Sequence, residues 1–108
     1  MDWFAKKKVV ITGGSSGIGK AAGMLCAQWG ASVCIMARTP SRLESAVGEI
    51  RSYAKSSDQK IVSMAVDVAD RAQVQGAAPS IVSQLGGIDI LIKGGSRLAP
   101  VHLPPPQS

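Results

Sequence analysis

Gly13, Gly14, Gly17 and Gly19, with Ser15 and Ser16 among them, crowd a short polar turn into an otherwise apolar part of the chain. Before the turn, Val9-Val10-Ile11 is a β-branched run. After it, apolar side chains recur at Ile18, Ala21, Ala22, Leu25, Cys26 and Trp29, a 3.6-residue spacing that predicts a helix. Glycine adopts φ > 0 and lets a ligand approach the backbone, and the unpaired N–H groups of a helix's first turn attract anions. Strand, glycine turn and helix in that order predict a loop that holds a phosphate through Gly13, Ser15, Ser16, Gly17, Ile18 and Gly19.

Three chemistries use such a loop, and the neighbouring residues discriminate between them. Gly14 to Lys20 has the G-x-x-x-x-G-K spacing of a P-loop, but Ala21 follows where a hydroxyl should bind Mg²⁺, which makes a P-loop nucleotide-binding protein the weaker alternative. Gly13, Ser15 and Gly17 have the spacing of a nucleophile elbow, yet the one histidine, His102, lies in a proline-rich tail. Gly17-Ile18-Gly19-Lys20-Ala21-Ala22 fits the dinucleotide fingerprint, and it follows a strand and opens a helix as that fingerprint requires. Cofactor choice then falls on the residue about 20 positions further on, where an acid takes the ribose 2′-OH of NAD and an arginine accommodates the 2′-phosphate of NADP. Arg38 stands there, with Arg42 one helical turn beyond it, so two guanidiniums are placed to share one phosphate of NADP(H). Asp67 closes a later apolar run, at the kind of strand end where open α/β sheets bind ligands.

The elements that must position these residues follow the same patterns. Ser32 to Met36 reads as a second buried strand, and Thr39-Pro40 as the cap and first position of a helix whose inner face carries Leu43, Ala46, Val47, Ile50 and Tyr53. Ile61 to Val66 is a third strand. Asp70 and Gln73 have the form of a capping box, ahead of Val74, Ala77, Ala78, Ile81, Val82 and Leu85 at helical spacing. Pro79 lies inside that pattern at a cost of about 3 kcal/mol, which predicts a kink or a later helix start. Gly86-Gly87 ends the helix, and Ile88 to Ile92 is a fourth strand. Right-handed crossovers between such units predict a parallel sheet in the order 3-2-1-4 with helices on both faces, the first part of a doubly wound α/β domain.

Composition narrows the partners. The 108 residues suit one domain, and 45% hydrophobic with 18% charged residues marks a globular chain. The formal charge of +5 is spread over several elements, which favours an anionic ligand and not nucleic acid. Lys6-Lys7-Lys8 reads as a solvated lead-in to the first strand. Cys26 and Cys34 sit in apolar patterns as reduced core residues, so no disulfide or metal site is expected and the setting is intracellular. The sequence has neither a membrane-spanning run nor the core of a signal peptide, which predicts a soluble, cytoplasmic chain.

Thr12-Gly13-Gly14-Ser15-Ser16-Gly17-Ile18-Gly19 matches the T-G-x-x-x-G-I-G signature, and on it the chain resembles the short-chain dehydrogenase/reductase family. The glycine-serine loop, Met36-Ala37-Arg38 and Val66-Asp67-Val68 are most similar to the 3-ketodihydrosphingosine reductases of that family, over roughly residues 7 to 92. The resemblance implies a Rossmann-like fold and an NADPH-dependent reduction of a long-chain keto base in sphingolipid synthesis. It also implies that Asp67 accepts the adenine amino group with help from the Val68 backbone, and that a basic residue belongs at both Arg38 and Arg42. A longer form would lie at the cytosolic face of the endoplasmic reticulum.

The likeness fails from Lys93. Lys93-Gly94-Gly95-Ser96 replaces the family's Asn-Asn-Ala-Gly-like motif, and residues 93 to 108 read as a proline-rich, disordered tail after an NADP-binding portion at 1 to 92. The family's catalytic serine and Tyr-x-x-x-Lys pair belong beyond that point. Tyr53 is the one tyrosine, and Ser57 stands four residues after it, so no catalytic residue is assigned. A non-catalytic nucleotide-binding or dimerising fragment is therefore the second reading.

Overall fold

Val9, Val10, Ile11, Val33, Cys34, Ile35 and Met36 are all buried, so two consecutive strands carry apolar side chains on both faces. Only a sheet covered on each side accommodates that pattern. In the computed structural model, which describes residues 2–13 and 17–93, these residues form the centre of a four-stranded parallel sheet. The strands are β1 (Lys8–Thr12), β2 (Ser32–Ala37), β3 (Ile61–Ala65) and β4 (Ile90–Lys93), in the order β3-β2-β1-β4. Three helices connect them: α1 (Gly17–Gln28), α2 (Pro40–Arg51) and α3 (Arg71–Leu85). This is the Rossmann-like topology that the residue patterns predict.

Alternation along the strands divides the core in two. Val9, Ile11, Val33 and Ile35 face α1 and α2, where they pack with Cys26, Ala27, Leu43, Ala46 and Ile50. Val10, Cys34 and Met36 face α3 through Ala77, Ile81 and Leu85. Register follows from this, because a slip of one residue would exchange the two faces. Ile11 therefore pairs with Ile35 on one side and Ile92 on the other.

The helices depart from their predicted faces in instructive ways. α1 buries Gly19, Gly23, Cys26 and Ala27 and leaves Ile18 67% and Leu25 47% exposed, a rotation away from the bulkier stripe. The cause is Gly23: a Cβ there would lie 2.8 Å from Ile50 Cδ1, so the helix turns its smallest side toward α2 and packs close. Tyr53 falls past the end of α2 and is exposed, which leaves Leu43, Ala46 and Ile50 as the buried face. α3 starts at Arg71 and runs through Pro79 instead of beginning after it. Gln75 and Pro79 both lie on the exposed side, where water takes the carbonyl that proline cannot bond. β4 begins at Ile90, two residues later than the apolar run suggests, because Asp89 is used to anchor it: the Lys8 N–H donates to Asp89 Oδ2 at 2.8 Å.

The lead-in is also more structured than its lysines suggest. Phe4 packs with its ring centroid 4.9 Å from those of both Trp3 and Trp29, and Lys7 Nζ stands 5.1 Å above the Trp3 ring. Lys6, at φ 66, donates its N–H to Gly30 O.

Gln59 holds the loop before β3. Its Nε2 donates to Ala27 O and Ala31 O at 2.8 and 2.7 Å, and its Oε1 accepts from the N–H groups of Lys55 and Ser56. One amide thus ties the end of α1, the start of β2 and the approach to β3 together. Gln59→Ala should lower unfolding free energy by about 1–3 kcal/mol, since several partly buried partners are released at once. Urea denaturation measures this, and an unchanged midpoint would show that the ties carry no stability.

Candidate functional site

The carboxyl ends of β1, β2 and β3 are laced together just where the sequence places its site residues. Gly13, at φ 73, donates its N–H to Met36 O at 2.7 Å, and the Val66 N–H donates to Ala37 O at 2.9 Å. Gly13, Arg38 and Asp67 consequently leave three adjacent strands on one end of the sheet, within about two strand spacings, or 10 Å. The positive φ at Gly13 explains the glycine, because other residues enter that region only under strain.

The loop continues into the first turn of α1. Gly17 has φ 60, and a Cβ built on it would meet nothing within 4 Å among the described residues. Gly19 is buried and Ile18 is exposed. Ser15 and Ser16, with Gly14, lie outside the described residues. Lys20 is turned away: its Nζ pairs with Glu49 Oε2 at 2.8 Å, which directs it to α2 and not back to the loop as a P-loop lysine would be.

Arg38 follows β2 directly, and Arg42 sits in the first turn of α2. Between them, Thr39 caps α2 in an extended conformation, φ −101 and ψ 107, with Pro40 at the first helical position. The Thr39 hydroxyl makes no capping bond, which differs from the usual use of threonine there. Both arginines are exposed, and the sole ion pair among the described residues is the one between Lys20 and Glu49. The two guanidiniums are therefore free to receive an anion.

Asp67 is held by its own loop. Asp67 Oδ1 accepts the Ala69 N–H at 3.0 Å, and Asp67 O accepts the Asp70 N–H at 2.9 Å. Asp70 caps α3 by accepting the Ala72 and Gln73 N–H groups at 3.0 and 3.3 Å. Gln73 completes the expected box in a shifted form, since its Oε1 takes the N–H of Asp67 at 2.9 Å and not that of the cap residue. Asp67 Oδ2 keeps a free acceptor among the described residues, with exposed Val68 next to it. The sequence marks Asp67 and Val68 as site residues and Gln73 only as part of a capping box; its bond to the Asp67 N–H crosses six residues and has no local signature. Lys93, which the sequence pattern places at the start of the tail, instead ends β4 in register with Thr12, because the pairing with β1 continues one residue past Ile92; residues 94–108 lie outside the described residues.

This arrangement suits a dinucleotide: backbone N–H groups at a glycine turn for the pyrophosphate, two cations at the end of β2, and an acid at the end of β3. Neither cysteine belongs to it, and among the described residues no three His, Cys, Asp or Glu side chains group to hold a metal ion.

The comparisons with known proteins agree with this fold. The family described as short chain dehydrogenase matches residues 7–103, and the chain belongs to that family. A 3-dehydrosphinganine reductase from Danio rerio is 39% identical over 85 residues, covering 78% of this chain and 26% of the relative. The solved L-sorbose reductase of Gluconobacter frateurii, complexed with NADPH and L-sorbose, superposes with a TM-score of 0.79, with 35% identity over 90% of this chain and 36% of that one. A xylitol dehydrogenase bound to NAD⁺ superposes at a TM-score of 0.74 and 27% identity, over 82% of this chain and 32% of that one. The chain thus spans about a quarter to a third of the length of these relatives.

Burial sets the chemistry of the two thiols. It pushes Cys34 up to about 11 and raises Cys26 as well. A free thiol titrates near 8.5, so this contribution to stability is fully present below that pH and is lost as pH rises toward about 11. At pH 8 an aromatic disulfide reagent should label neither cysteine in the folded chain and both in denaturant. Rapid labelling of the folded chain, followed by absorbance, would contradict the burial.

Proposed function

We propose that this chain is the NADP(H)-binding portion of a short-chain dehydrogenase/reductase that reduces a long-chain keto base of sphingolipid synthesis. The observation that carries the cofactor part is the placement of Arg38 and Arg42, exposed and without a carboxylate partner among the described residues, after the strand next to the glycine turn. An acid at Arg38 would suit the 2′-OH of NAD; two arginines suit a 2′-phosphate. In this reading the pyrophosphate lies on the N–H groups around Gly13, Gly17, Ile18 and Gly19 at the start of α1, and Ser15 and Ser16 belong to the same cradle. The Asp67 carboxylate and the Val68 N–H match the donor and acceptor of the adenine edge. NADPH would supply the hydride.

The keto-base substrate is supported by the likeness to the Danio rerio reductase. The chain itself offers no tyrosine and lysine at the family's spacing, so it binds cofactor and does not turn it over alone. An intracellular setting, at the cytosolic face of the endoplasmic reticulum in a longer form, goes with this reading and with the two free cysteines.

Cofactor selectivity tests the proposal. A charge-assisted hydrogen bond contributes about 1.5–3 kcal/mol, so Arg38→Ala should weaken NADPH about tenfold to a hundredfold and leave NADH nearly unchanged. Arg38→Asp should reverse the preference toward NADH, by repelling the phosphate and offering an acceptor to a hydroxyl. Titration calorimetry reads both; equal losses for the two cofactors would remove Arg38 from the site.

A second reading, a nucleotide-binding fragment that self-associates, is favoured by the edge of the sheet. Among the described residues β4 pairs on one side only, with β1, and Leu91 is 62% exposed on it. The opposite edge is guarded, since Arg51 Nη2 donates to Ile61 O on β3 at 3.0 Å. Antiparallel pairing of β4 with its copy would close the open edge. Leu91→Lys should then shift sedimentation toward monomer, and a wild-type chain that is already monomeric at all concentrations would exclude this reading.

A further inference from the structure

We propose that Gln73 is a positioning residue that fixes the loop from Asp67 to Asp70 in the conformation that receives adenine; the inference rests on the cofactor reading above. Gln73 lies in the first turn of α3, a helix anchored to the sheet by Ala77, Ile81 and Leu85. From there its Oε1 accepts the Asp67 N–H at 2.9 Å, and its Nε2 donates to Asp70 Oδ2 at 3.3 Å. The side chain therefore grips both ends of the turn that joins β3 to α3.

Each bond constrains a different part of Asp67. Gln73 holds its N–H, the Asp70 N–H holds its carbonyl, and the Ala69 N–H holds carboxylate Oδ1. With backbone and one carboxylate oxygen fixed, Oδ2 is left as the acceptor for a ligand. The Gln73 link is the one among these three that ties Asp67 to a side chain of the packed helix. The far end of the turn is tied to α3 separately, by the Asp70 cap, whose Oδ1 accepts the Ala72 and Gln73 N–H groups and whose carbonyl accepts that of Val74; what Gln73 adds is the link from α3 to the Asp67 end, where the adenine acceptor lies.

The consequence is a preorganisation effect. Apparent affinity falls in proportion to the fraction of chains in the competent conformation. Loss of one such tie should raise the dissociation constant for any adenine nucleotide about threefold to tenfold. Gln73 does not reach the arginines, so preference for the 2′-phosphate should remain.

The test uses the full chain and Gln73→Met, titrated with ADP and with adenosine 2′,5′-bisphosphate at a temperature where circular dichroism shows both proteins folded. The expected result is a loss of about threefold to tenfold for both compounds, by the same factor. A purely structural cap would lower the melting temperature and leave these affinities unmoved. Unchanged affinity, or a loss confined to the 2′-phosphate compound, would overturn the inference while leaving the cofactor reading intact. Failure of the wild-type chain to bind either compound would overturn the cofactor reading, and this inference with it. Should Gln73→Met not fold, amide exchange in the wild type decides: slower exchange at Asp67 than at Val68 supports the tie, and equal rates overturn it.

Discussion

The hydrogen bond from the Gly13 N–H to Met36 O, 2.7 Å long, is the constraint on which the site depends. It extends the β1–β2 ladder one residue past Thr12 and then lets the chain turn, because Gly13 has φ 73. The same end of β2 receives the Val66 N–H at Ala37 O, so the three strand exits are fixed relative to one another before any loop begins. A ligand that spans them meets groups whose spacing is set by backbone pairing.

That dependence explains which parts were legible in the sequence. Strands buried on both faces appear as unbroken apolar runs, so β1, β2 and their place in the sheet could be read from Val9 to Ile11 and Ser32 to Met36. Arg38 and Asp67 were legible because they are polar residues set directly at the ends of such runs. The face of α1 was not, since close packing there relies on Gly19 and Gly23, residues that hydropathy does not mark as core. Gln59 was hidden for another reason: its partners Ala27 and Ala31 are 32 and 28 residues away, and a polar residue in a polar loop carries no local sign of them. The later helix start that Pro79 suggests does not occur, because the cost of a helical proline depends on whether the orphaned carbonyl faces solvent, which only the rotation of α3 decides.

Apolar side chains are left in water on several elements, from Trp3 in the lead-in to Tyr53 after α2 and Val82 on α3. Leu91 lies on β4, Ile88 precedes it, and Ile18 and Leu25 are on α1, while the β3 side of the sheet is closed by α2 and Arg51. The chain spans 26% to 36% of the length of the relatives described above, and among the described residues exposed Leu91 on β4 lies at the edge where the sheet is open to further pairing.

The strand order also has a consequence for the order of assembly during synthesis. β1 must wait for β4, which lies about 80 residues later, but β1, β2 and β3 are complete once Ala65 has been made. By then α1 and α2 already cover one face through Ile50 and Leu43, and the other face, with Val10, Cys34 and Met36, stays bare until α3 emerges. The nascent chain therefore passes through a stage with a half-covered sheet, at which chaperone contact has the most to protect.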